Sequence, residues 1–245
     1  MKKVLITGAN KSIGFETARQ LLQKGYYIYL GSRTLENGQE AVEKLKAEGL
    51  DEVEAVQVDV TDLESVKAAR AAIGEKTDVL DVLINNAGIS GGMPQTPLSA
   101  PIEMFKSVYD TNVFGVVRVT QEFVDLLRKS AEPRIVNVSS SVGSLTLNSD
   151  PNWAYYGLNA GVYNSSKAAL NMYTVKLAYE LKDTPFKVNA VDPGYTKTDF
   201  NNHSGPGTVE DAAARVVKYA VIGADGPTGK YFSEEHTPVT GEIPW

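Results

Sequence analysis

Tyr163 and Lys167 stand four residues apart, in a stretch from Tyr163 to Leu181 whose composition predicts a helix. Residues four apart share a helix face. A free phenol has a pKa of about 10, too high to exchange protons readily at neutral pH. A cation about 4 Å away contributes roughly 4 kcal/mol at an effective dielectric near 20. That is enough to draw the phenol towards neutrality, the tuning a general acid/base needs. The pair is therefore expected to form an acid/base centre in which Tyr163 ionises below its usual range. Tyr155 and Tyr156 offer no equivalent, because Asn159 and Ala160 follow them at the same spacing. An isolated Tyr-x-x-x-Lys also decorates ordinary surface helices, so the chemistry needs further partners. Ser139, Ser140 and Ser141 close a predicted strand upstream. Each could donate a hydroxyl to a substrate oxygen and stabilise charge there.

A second cluster is suited to a phosphate. Thr7-Gly8-Ala9-Asn10-Lys11-Ser12-Ile13-Gly14 follows the first apolar run and opens the first helical pattern. A helix start offers free amide N–H groups and a positive dipole end, which suit a pyrophosphate. An ordinary glycine-rich turn has the same composition, so this segment alone leaves both readings open.

Alternating elements must position these groups. Short apolar or β-branched runs at Val4–Ile6, Tyr26–Leu30, Val53–Val58, Leu80–Ile84, Ile135–Val138, Lys187–Val191 and Tyr231–Phe232 predict seven strands. Between them, Ile13–Lys24, Glu36–Glu48, Leu63–Ile73, Phe105–Lys129, Tyr163–Leu181 and Val209–Ala220 predict helices. Gly49 stops the second helix, and Thr61-Asp62 is placed to cap the third. This alternation predicts a doubly wound α/β fold, with a mainly parallel seven-stranded sheet covered on both faces. Nearly all the strands are apolar throughout, as doubly covered strands should be. With no repeat or long linker, residues 1–245 read as one Rossmann-type domain.

Taken in order, the motifs resemble those of the short-chain dehydrogenase/reductase family along almost the whole chain. The glycine-rich turn is similar to that family's Thr-Gly-x-x-x-Gly-x-Gly. Asp59-Val60, Asn85-Asn86-Ala87-Gly88, Asn112, the serine run, Tyr163-x-x-x-Lys167 and Pro193-Gly194 through Thr196 and Thr198 follow at matching places. The resemblance implies binding of a nicotinamide dinucleotide by Gly8, Asn10, Lys11, Ser12, Ile13, Gly14, Asp59, Val60, Asn86, Gly88, Tyr163, Lys167, Pro193, Gly194, Thr196 and Thr198. It implies that Lys167 also grips the nicotinamide ribose, that Asn112 holds a water in a proton relay, and that Ser140, three before Gly143, is the catalytic serine. The carbonyl reductase branch is the nearest in pattern. Ser12 departs from the family, standing where a glycine is usual. Serine in a left-handed backbone costs about 1–2 kcal/mol, so the position is expected not to need one.

The second strand ends in Gly31-Ser32-Arg33, with no acid until Glu36. Family members that use NAD usually place an acid there for the ribose 2′-hydroxyl. Arg33 instead offers a planar cation suited to a phosphate, and Lys11 can approach from the turn. The expected cofactor is therefore NADP.

Composition removes other classes. The net charge of −6 argues against nucleic acid or an anionic membrane as partner. The chain has no cysteine, which excludes disulfides, thiolate metal sites and a cysteine nucleophile. Its two histidines, His203 and His236, lack ligand spacing, so no metal is expected. The first apolar run ends at Thr7-Gly8, too short for a signal core, and no stretch could span a bilayer. A cytoplasmic protein is expected.

The substrate is read as a small carbonyl compound or alcohol, apolar or aromatic. Trp153, Tyr155 and Tyr156 lie in the segment between Ser140 and Tyr163, which is longer than the shorter family members place there. It is expected to bulge beside the centre as a pocket wall, with Trp153, Ser140 and Tyr163 meeting substrate and Phe200 nearby. Its length leaves the oligomeric state open. Two other functions fit the same motifs: a cofactor sensor without turnover, and an epimerase or dehydratase holding NADP tightly.

Overall fold

The first apolar run becomes a strand because its neighbours on both sides are strands with matching register. The computed structural model describes residues 1–245. The strands are β1 (Lys3–Ile6), β2 (Tyr27–Ser32), β3 (Val53–Gln57), β4 (Val82–Asn85), β5 (Arg134–Val138), β6 (Lys187–Val191) and β7 (Tyr231–Phe232). They form one sheet in the order β3-β2-β1-β4-β5-β6-β7, and every strand pairing in it is parallel. The chain thus runs outward from β1 to β3, then returns to the other side of β1 with β4. That reversal opens a crevice beyond the carboxyl ends of β1 and β4, where ligands bind in such sheets.

The helices are α1 (Ser12–Gln23), α2 (Leu35–Ala47), α3 (Leu63–Gly74), α4 (Ile102–Tyr109), α5 (Gly115–Leu127), α6 (Leu145–Asn148), α7 (Gly161–Glu180) and α8 (Val209–Ala220). One core joins the sheet to α1, α2 and α8 through Leu21, Leu45 and Val216. The other joins it to α3, α5 and α7 through Ile73, Phe123 and Ala178. Asp62 caps α3 by accepting from the Glu64 N–H at 3.0 Å. Gly49, with φ of +81°, follows the end of α2, a backbone that glycine adopts at no steric cost.

The single helix expected from Phe105 to Lys129 is different in detail. It begins at Ile102 and is interrupted by a π-helical turn, Asp110–Phe114, between α4 and α5. Such wide turns insert one residue into a helix. Apolar periodicity does not report them, because both flanking helices keep their own buried faces. The interrupted turn carries Asn112.

Candidate active site

The glycine-rich turn lies at the mouth of the crevice. Gly8 has φ of +62°, and a Cβ there would come within 3.0 Å of the Ala87 backbone. A Cβ on Gly14 would meet Gly8 O at 2.6 Å. These glycines let α1 start directly beneath the turn and let the turn approach the end of β4. Asn86 ties the two together, its amide donating to the carbonyls of Thr7 and Gly8 at 2.9 Å each. The Thr7 hydroxyl accepts from the N–H groups of Asn86 and Ala87. The Asn86 amide group is thus spent on shaping the cradle.

Ser12 corrects the expectation drawn from its type. Its φ is +51°, so the position does need a left-handed backbone. The turn must bend there to start α1, and the chain tolerates about 1–2 kcal/mol of strain for it. Asn10 and Ile13 are half-buried beside it. Lys11 is exposed and pairs with Asp199 at 3.0 Å, joining the turn to the segment after β6. Arg33 stands exposed at the end of β2, the strand adjacent to β1. Asp59 and Val60 follow β3, and the Asp59 carboxylate accepts from Thr61 N–H at 2.9 Å. Gly88 lies between Asn112 and Lys167. A Cβ there would be 3.3 Å from Asn112 Oδ1 and 3.9 Å from Lys167 Nζ.

The catalytic candidates converge at the ends of β4 and β5. Lys167, on α7, is buried and donates to the Val138 carbonyl at 2.8 Å. Its ammonium sits 5.6 Å from the centre of the Tyr163 ring. Of the three serines, Ser139 is buried and donates to Asn171 at 2.6 Å, and Ser141 is buried. Ser140 alone is half-exposed, and its side chain lies near enough to the Tyr163 phenol to draw its pKa down. Asn112 is buried, its amide donating to Ile89 O at 2.9 Å and to Ser166 Oγ at 3.1 Å, while Oδ1 accepts from Ile89 N–H. It pins the loop after β4 to α7 and does not itself touch Lys167 in this arrangement.

The expected lowering of the Tyr163 pKa is not what the structure shows. Burial pushes the phenol above its ordinary range, the carboxylate of Asp192 adds to that, and only Ser140 pulls the other way. A phenolate loses its water here faster than one nearby cation can compensate. Burial also pushes Lys167 down from 10.5 to about 8, with Asp192 opposing. The unfolded chain therefore holds this proton more tightly than the folded chain between those values, and stability rises with pH through that window. The cost, about 3 kcal/mol, is present in full below pH 8. Relative to Lys167→Met, the parent is expected to gain stability between pH 8 and 10 in denaturant titrations. A constant difference across that range would show that Lys167 holds its proton ordinarily.

The segment after β6 covers the crevice from the other side. Gly194, with φ of +85°, donates to Asp192 at 3.0 Å. Thr196 donates to Gly194 O at 3.1 Å. Thr198 caps a short turn that carries Phe200. The Phe200 ring meets the Tyr163 ring edge-on, centroids 5.5 Å apart. The Trp153 ring packs on Tyr155 and His236, and Tyr155 donates to Glu235 at 2.8 Å. The long segment thus folds onto the C-terminal part of the chain, and Phe200 is the aromatic brought against Tyr163.

A family model for short chain dehydrogenase matches residues 2–208. The chain belongs to this family. It is 37% identical to (-)-isopiperitenone reductase of Mentha piperita, with 94% of this chain and 96% of that protein covered. Salutaridine reductase from Papaver somniferum superimposes with a TM-score of 0.83 at 31% identity, over 95% of this chain and 100% of the other. An NADPH-bound carbonyl reductase from chicken fatty liver gives 0.85 at 28% identity, over 100% and 99%. No helix is long and apolar enough to cross a membrane.

Two residues of this short chain dehydrogenase shape the site without belonging to any motif. Gln95 is buried, and its Oε1 accepts from the Tyr163 N–H at 2.9 Å, capping the first turn of α7. Asp192 is buried at the end of β6, accepting from Ser233 Oγ at 2.6 Å and grouped with Glu235 and His236 within 4.8 Å. Nothing in local sequence marks Gln95, whose partner lies across a loop. Asp192 could have been singled out as an acid closing an apolar strand.

Proposed function

We propose that the chain is an NADPH-dependent reductase of ketones or aldehydes that also runs the reverse oxidation. The observation that carries this reading is the half-exposed Ser140 beside the Tyr163 phenol, with Lys167 buried against the same helix. Gly8 and Gly14 let the turn and α1 pack closely against the end of β4, and a dinucleotide would lie along the crevice they border. Arg33 and Lys11, both exposed cations, would hold its 2′-phosphate. Bound there, NADPH supplies the hydride. Ser140 donates to the substrate oxygen and orients it. Tyr163, whose raised pKa keeps it protonated, delivers the proton to that oxygen. Lys167 grips the ribose, and Asn112 holds the loop after β4 in place. Phe200, set against the Tyr163 ring, gives the approach an aromatic surface, which suits an apolar or aromatic carbonyl. The lack of cysteine agrees with a cytoplasmic setting.

NADPH oxidation followed with a panel of carbonyl compounds tests the reading. Turnover with net cofactor consumption is expected, with NADPH preferred over NADH. Binding without consumption would overturn it in favour of a sensor or an epimerase. Arg33→Ala is expected to weaken NADPH by about ten- to a hundredfold, because a charge-assisted contact contributes roughly 1.5–3 kcal/mol. NADH affinity should barely change. Equal losses for both cofactors would remove Arg33 from the phosphate site.

A further inference from the structure

The last strand is only two residues long, yet its first residue is among the largest fully buried side chains of the protein. Tyr231 pairs with Ala190 of β6, and its phenol donates to the backbone carbonyl of Ser140. The same carbonyl accepts the Gly143 N–H at 2.8 Å. Both of its lone pairs are therefore taken, and the peptide plane that follows Ser140 is held from two directions. A carbonyl can accept two bonds, and when one comes from a buried ring it fixes orientation as well as energy.

The C-terminal residues hold that ring. Trp245 stacks on Tyr231, with centroids 5.2 Å apart and planes 18° from parallel. The Trp245 carbonyl accepts from the Thr146 N–H at 3.1 Å and the Thr146 hydroxyl at 2.9 Å. Ile243 N–H donates to Tyr231 O at 2.9 Å. Ala190, Tyr231 and Ile243 form a small core of their own, against which Leu147 and Trp245 pack. This core adjoins the segment that starts with the catalytic serine. Burial pushes the Tyr231 phenol well above its ordinary range, so it stays a donor at any working pH.

We propose that Tyr231 is a positioning residue for Ser140: clamped by Trp245, its phenol fixes the Ser140 peptide and so aims the Ser140 hydroxyl at the substrate oxygen. This rests on the reading of Ser140 as the hydroxyl that engages substrate. A serine rotor has three staggered wells, and its direction also follows the backbone that carries it. Ser140 is in extended backbone, φ −159° and ψ 142°, between a strand end and a tight turn. Without a second constraint the peptide could rock about that turn. Misplacement of a reacting group by about 1 Å costs on the order of a hundredfold in rate, so a modest constraint here has a measurable effect.

The alternative is that the phenol merely satisfies itself on the nearest carbonyl. A double-mutant cycle separates the two. Tyr231→Phe keeps the ring and the Trp245 stack while removing the donor. Its kcat for carbonyl reduction is expected to fall about five- to thirtyfold, with NADPH affinity within about twofold of the parent. In a Ser140→Ala background the same change should alter kcat by less than about twofold, because the group it aims is gone. Equal losses in both backgrounds, or no loss with Ser140 present, would overturn the proposal. Trp245→Ala, which loosens the ring but keeps the hydroxyl, should show the same dependence on Ser140 and decides the matter if Tyr231→Phe does not fold. A parent without carbonyl turnover overturns the functional reading and this inference together. A parent that turns over with an unaffected Tyr231→Phe overturns this inference alone.

Discussion

Tyr163→Phe should lower kcat for carbonyl reduction by about 10²–10⁴-fold, the range that general acid catalysis supplies, while NADPH affinity stays within about twofold. The ring remains, so its edge contact with Phe200 is kept, as is the Lys167 ammonium beside it. What disappears is the proton that Tyr163 would deliver to the substrate oxygen. Ser140 cannot take over, because a hydroxyl with no base behind it does not release its proton near neutral pH. The raised phenol pKa sharpens the expectation. The group begins protonated in the empty site, as an acid must. Cofactor titration by fluorescence and steady-state NADPH oxidation give the two readouts. Turnover of the variant within a few-fold of the parent would remove Tyr163 as the acid.

The sequence carried more of the placement than of the electrostatics. Strands such as Lys187–Val191 and the capped helix after Asp62 were legible because apolar period and cap chemistry are local. The π-helical turn at Asn112 was not, since one inserted residue leaves both flanking faces intact. Lys167 was correctly placed beside Tyr163, but the sign of the phenol shift was not readable. That sign depends on burial and on Asp192, which β6 brings to the site from a distant part of the chain. Ser12 shows the same limit. Its residue type argued for an ordinary backbone, and the geometry of the turn overruled it. Trp153 shows another, because an aromatic residue reports that something will be buried but not against what. Its partner, His236, lies far along the chain.

Gly143→Val is expected to abolish measurable turnover and to lower Tm. Its backbone is not left-handed, so strain is not the reason for glycine. Room is. A Cβ at this position would lie 2.8 Å from the Lys167 carbonyl carbon, 2.9 Å from Lys167 Cβ and 3.0 Å from Asn171 Nδ2. The first two belong to the middle of α7, a twenty-residue helix that cannot yield locally. The turn holding Gly143 starts at Ser140, and the helix it meets carries Tyr163 and Lys167. The serine and the tyrosine can approach only because nothing projects from Gly143 between their two supports. This gives a physical reason for a glycine three residues after Ser140. Overpacking of this kind costs typically 1–3 kcal/mol, and displacement of the catalytic groups by about 1 Å adds a loss on the order of a hundredfold in rate. Gly143→Ala already places the clashing atom and should lose activity in the same direction. Gly49→Ala is the control: Gly49 has φ of +81° but nothing within 4 Å of the added carbon. It should lose stability, by about 1–2 kcal/mol, and keep its kcat. Thermal melts and NADPH oxidation on the three variants separate strain from crowding. A folded Gly143→Val that turns over like the parent would show that the turn can move away from α7, and that the glycine does not set the distance between Ser140 and Tyr163.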